Sequence, residues 1–104
     1  MLFHVTMRHA ASDCPGYQRE KIPLLLQWRE QREKLSKQFN VKVHGMYNGM
    51  PQHVEFAIVE ADSPASVAFF LSTHPVQADF EVHAVEAEDT LMERIKKMMA
   101  QAGG

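Results

Sequence analysis

Residues 41–60 read VKVHGMYNGMPQHVEFAIVE. Val41 and Val43, then Val54, Phe56 and Ile58, recur at every second position, the period of a strand with one buried face. Between the two runs lies NGMPQ, residues 48–52, whose Asn-Gly pair favours a hairpin turn. Strands at 41–47 and 53–60 therefore form an antiparallel hairpin. With residues 48–51 as the loop, His44 falls opposite Glu55 and Met46 opposite His53.

Helical segments flank the hairpin on both sides. From Tyr17 to Phe39 the composition is dominated by Glu, Lys, Leu, Gln and Arg, all good helix formers. Pro23 lacks a backbone donor and clashes with a preceding helical turn, so the spacing predicts a short first turn, then a helix over 23–38. Leu25, Trp28, Leu35 and Phe39 share its apolar stripe, and REQREK, residues 29–34, is a solvated face. On the other side, Ser63 is a candidate N-cap and Pro64 a first helical residue. Val67, Phe70 and Leu71 give that short helix its apolar side.

Further out lie LFHVTMRH, residues 2–9, and DFEVHAVE, residues 79–86, both alternating as strands do. AASDCPG, residues 10–16, is a turn-rich link in which Ser12, Asp13 or Cys14 can cap a helix with Pro15 in its first turn. Residues 88–102 form an accessory C-terminal helix, with acids early and lysines later as the helix dipole favours, and Leu91, Ile95, Met98 and Ala102 on one stripe. The order is β-α-β-β-α-β plus a terminal helix: a single α+β domain over 1–104 with the ferredoxin-like pattern. Its sheet order is 4-1-3-2, with both main helices on one face. An uncovered apolar sheet face drives association, so a second copy of the chain is expected to cover it, giving a homodimeric α+β barrel.

Composition bounds the function. The 104 residues are 45% hydrophobic and 23% charged, ordinary globular values. A net charge of −2 and the lack of a basic patch argue against nucleic acid. No apolar run approaches the roughly 20 residues that cross a bilayer, and Met1 to His4 carry no basic, apolar leader. Cys14 is the single cysteine, which excludes an internal disulfide. A cytoplasmic protein without membrane attachment is expected.

Strand parity suggests where chemistry lies. Placing Phe3, Val5, Met7, Val41, Val43, Val54, Phe56, Ile58, Phe80, Val82 and Ala84 under the helices leaves the alternate residues on the open face. That face then holds His4, His44, His53 and His83 together with Glu55 and Met46. His4/His83 and His44/Glu55 are the candidate ligand-binding pairs, and His4, His44 and His83 the candidate metal ligands. Imidazole and carboxylate suit a transition metal or haem iron, or an acid–base pair, although no compact metal signature such as H-x-H or C-x-x-C is present. Polar residues on an exposed sheet face are also ordinary surface. His9 and His74, at element ends, are expected in solvent. Cys14 before a helix start is a candidate reactive thiol or metal ligand, set against an inert loop cysteine beside Asp13. Tyr17 and Tyr47 can donate into a cavity or simply pack.

The segments VKVHGMYNG, FAIVEADSPASV and FEVHAVEAED, with the opening FHVTM, resemble small bacterial ferredoxin-like proteins of an uncharacterised family. The features are FAIVE followed by Asp62 and Pro64, and a strand-four FEVHPV pattern with Ala84 in the proline position. The similarity spans about residues 2–90, leaving the terminal helix outside. It implies a dimeric α+β barrel and no established reaction. Relatives at the fold level include cofactor-free monooxygenases, haem-degrading enzymes, muconolactone isomerases and ligand-sensing domains, and fold alone does not carry function between them. Two expectations follow: a small-molecule or metal-binding protein, enzymatic or not, with a His-lined cavity on the open face, or a structural module whose sheet face only mediates dimerisation.

Overall fold

A computed structural model describes residues 1–103. Four strands, β1 (Leu2–Arg8), β2 (Lys42–Gly49), β3 (Val54–Glu60) and β4 (Asp79–Val85), form one antiparallel sheet in the order β2-β3-β1-β4. The helices are α1 (Ile22–Gln38), α2 (Pro64–Leu71) and α3 (Glu88–Ala102). This is the ferredoxin-like α+β arrangement with a C-terminal helix. No helix among the described residues is long and apolar enough to cross a membrane.

Local chemistry accounts for the helix starts. Ser63 is extended and its hydroxyl accepts the Ser66 N–H at 3.2 Å, with Pro64 in the first turn. Pro23 likewise sits in the first turn of α1, where its missing donor is harmless. The link before α1 differs from expectation. Ala11–Asp13 and Arg19–Lys21 form single 3-10 turns, and Cys14 closes the first of them rather than opening an α-helix.

The core lies between the sheet and α1 and α2. Phe3, Val5 and Met7 of β1 meet Trp28 of α1 and Val67, Phe70 and Leu71 of α2. Direct pairing of Val5 with Ala57, and of Phe3 with Val59, puts Ala57 and Val59 on this face, both with no exposed area. The expected parity of β3 is therefore reversed: Val54, Phe56 and Ile58 lie on the open face, and Glu55 lies under the helices. Both faces of β3 are apolar, so alternation alone cannot choose between them.

The hairpin register is also corrected. Asn48 and Gly49 remain in β2, paired with Glu55 and Val54, and the turn is Met50 to His53. Pro51 and a left-handed His53 (φ 56°) take over the turn from the Asn-Gly pair. A β-bulge between Val43 and Gly45 makes His44 the extra residue. Beyond it Met46 pairs with Ala57 and packs against the core, so neither His44/Glu55 nor Met46/His53 is a cross-strand pair.

Every residue of α3 is exposed, including Leu91, Ile95 and Met98 on its apolar stripe. The chain is extended accordingly. Its radius of gyration is 17.2 Å, against about 13 Å for a compact domain of this length.

Candidate functional site

A cavity of about 660 Å³ opens at one end of the sheet, on the helix side. Four segments converge on it: the end of β1, the link to α1, the β2–β3 turn and the link from α2 to β4. Met7, Leu25, Val76 and Ala78 supply apolar wall, and Tyr17 and Met50 stand among the loop residues at its edge. Two polar clusters interrupt this lining.

The first is Glu55 with His74. Met7 pairs with Glu55 across β1 and β3, which puts the carboxyl on the core face. Burial pushes its pKa up, opposed in part by the Arg32 guanidinium. The His74 side chain is only 7% exposed, and burial pulls its pKa down. Val76 N–H donates to His74 Nδ1 at 3.1 Å, so that nitrogen keeps its lone pair and the neutral ring carries its proton on Nε2. Nε2 lies 3.6 Å from Glu55 Oε2, beyond a formed hydrogen bond, and is buried without a partner. Both groups are thus driven toward neutrality rather than into an ion pair. The His74 ring meets Trp28 edge-on at 4.7 Å, and Trp28 Nε1 donates to Thr73 at 2.9 Å, which fixes both rings.

This pair ties stability to pH in opposite senses. The folded-state pKa of His74 is below the unfolded value of about 6.5, so its contribution is full above that pH and is lost as pH falls below it. Glu55, raised in the folded state, contributes fully below its unfolded value of about 4.3 and loses that contribution as pH rises through its folded value. His9 and Arg32 are the other charged groups that act on the pair. Urea unfolding at pH 7 and at about pH 5.5, a window set by the unfolded histidine value, should show a drop in midpoint that is smaller in His74→Gln. An equal drop in both proteins would remove His74 as a cause.

The second cluster is His9, Cys14 and His53. One ligand atom from each lies within 4.8 Å of the others. The His9 and His53 rings meet edge to face at 5.3 Å, and the His9 backbone N–H donates to the His53 backbone carbonyl at 3.2 Å. The Tyr17 ring lies 6.2 Å from His53. Gly16 N–H donates to Cys14 Sγ at 3.4 Å. Nε2 of His9 is buried with no hydrogen-bond partner. Burial, and next the neighbouring His53, lower the His9 pKa.

His9 and His74, expected in solvent, thus both line the cavity. His53, expected on the open face, lies in the turn beside them. Of the open-face candidates, His4 and His83 are directly paired across β1 and β4, and the His4 ring lies 5.9 Å from Phe56. His44 sits on β2, with β3 between it and β1. Two strand spacings, about 10 Å, separate it from His4. It bonds Glu60 instead, Nε2 to Oε1 at 3.0 Å, and this holds the Glu60 carboxyl below its usual range. Glu55 is on the other face of the sheet from His4 and His83.

The fold and the cavity define a ferredoxin-like α+β protein with a ligand-sized pocket between sheet and helices. The chain belongs to the DUF3303 family, a domain of unknown function, whose match covers residues 1–99. It reaches well into α3, which the sequence resemblance left outside. No curated protein matches the chain.

Proposed function

We propose that the protein binds a small organic molecule in the cavity beneath α1, and that it works as a homodimer of the dimeric α+β-barrel type in the cytoplasm, where Cys14 stays reduced. One observation carries the ligand reading: a 660 Å³ cavity with apolar walls converges on a partly buried carboxyl–imidazole pair, Glu55 and His74, whose charged forms burial disfavours. Ligand sites have this volume range and this mix of apolar wall and few placed polar groups. The ligand is accordingly an apolar or aromatic body with one polar group directed at Glu55. Burial raises the pKa of the Glu55 carboxyl, which suits it to proton exchange with a ligand, so acid–base chemistry is the reaction open to this site.

The open face of the sheet is the dimer surface in this reading. Tyr47, Phe56, Ile58 and Val85 lie on it, and Tyr47 is 61% exposed. A two-fold dimer would set this same patch of one copy against that of the other.

A thermal-shift screen with aromatic and tetrapyrrole compounds tests the ligand assignment. A compound at a hundredfold its Kd should stabilise the folded state by about 2.7 kcal/mol. Ala78→Phe, which fills the cavity wall, should abolish the shift, and Glu55→Gln should reduce it for ligands with a polar group. A shift that persists unchanged in Ala78→Phe would place the ligand elsewhere.

A further inference from the structure

We infer that His9, Cys14 and His53 form a three-ligand site for a borderline-soft divalent metal of the zinc class, with a remaining coordination position facing the cavity. The inference does not depend on the organic ligand proposed above.

The donor set is the first support. Two imidazoles and one thiolate suit zinc or a late first-row metal, and disfavour magnesium or calcium, which take oxygen. Distance is the second. Tetrahedral zinc, with bonds of about 2.0 Å to nitrogen and 2.3 Å to sulfur, holds its ligand atoms roughly 3.3 to 3.6 Å apart. The three donors lie within 4.8 Å of one another, so closure by about an ångström of side-chain rotation completes the geometry.

The third support is an unexplained atom. His9 Nε2 is buried without a hydrogen-bond partner among the described residues, a condition that costs about 1–3 kcal/mol and that a bound water or a metal ion relieves. The surroundings hold the donors in place. The His9 backbone is bonded to the His53 carbonyl, tying the end of β1 to the turn. His53 occupies a left-handed conformation, uncommon for a residue with a side chain and concentrated at functional sites. Gly16 N–H supplies a bond to Cys14 Sγ of the kind that orients metal-bound sulfur.

All three donors also line the cavity, and three protein ligands leave a tetrahedral ion one position for water or a cavity ligand. Binding converts the Cys14 thiol to a metal-bound thiolate and releases its proton to solvent.

The test is titration of chelator-treated, reduced full-length protein with cobalt(II). The expected result is saturation at one ion per chain. It brings the visible bands of tetrahedral cobalt and a near-ultraviolet thiolate-to-cobalt charge-transfer band, both displaced by zinc. Cys14→Ser, a near-isosteric change in a loop, should remove the charge-transfer band. His9→Gln and His53→Gln should each weaken binding at least about a hundredfold. The paired substitution His4→Gln/His83→Gln should leave the titration unchanged. Absence of saturable binding, a charge-transfer band that survives Cys14→Ser, or loss of binding on changing His4 and His83 would each overturn the assignment.

Discussion

Phe70→Ala should cost about 3–5 kcal/mol of folding stability, much of the total of a domain this size. Phe70 has no exposed area, and its ring lies 6.1 Å from that of Trp28, where α2 meets α1. Val67 and Leu71 beside it are equally buried. An eight-residue helix has almost no stability of its own, so α2 exists because these three side chains are packed. The loss should reach the cavity as well, since α2 leads directly into His74 and Val76. Urea unfolding followed by Trp28 fluorescence measures it. A loss below about 1 kcal/mol would mean that Phe70 is not the anchor of this packing.

Phe56→Asp should break the proposed sheet-face homodimer. The residue lies on the open face, opposite Tyr47 of β2 and Thr6 of β1. A two-fold interface places the new carboxylate in it twice, and an uncompensated buried charge costs several kcal/mol. Dissociation constants should rise more than about a hundredfold. Light scattering should then report the chain mass of 11.9 kDa in place of twice that value. Deleting residues 88–104 separates the role of α3 from that of the sheet. A wild-type protein that is monomeric, or a Phe56→Asp protein of unchanged mass, would reject the sheet-face dimer.

Some of this architecture is legible in the residues. Ser63-Pro64 is a local start signal, and its bond to Ser66 forms as the capping chemistry requires. The alternation of β1 and β4 places Phe3 opposite Ala84 and His4 opposite His83, as parity expects. The faces of β3 are not legible, because Ala57 and Val59 compete with Phe56 and Ile58 on equal terms of polarity. The bulge at His44 is silent too, since an extra residue in a strand leaves no compositional mark. The cavity groups are further out of reach. His9 and His74 end their elements, where local rules place polar residues in solvent. They are covered by connections whose course is set by the tertiary packing. Cys14 and His53 become neighbours only because the β2–β3 turn folds beside the link to α1.

The extra residue at His44 means that the two halves of β2 are read in different frames. Val43 pairs with Val59 on the helix side, and Met46, three positions later rather than two or four, pairs with Ala57 on that same side. Straightening the bulge with every residue kept, and residues 42 and 43 held in place, would exchange the faces of everything after it. Met46 and Asn48 would swing outward, and Tyr47 would be driven beneath α1. The bulge in this strand is therefore as much a determinant of the cavity rim as the identity of any side chain lining it.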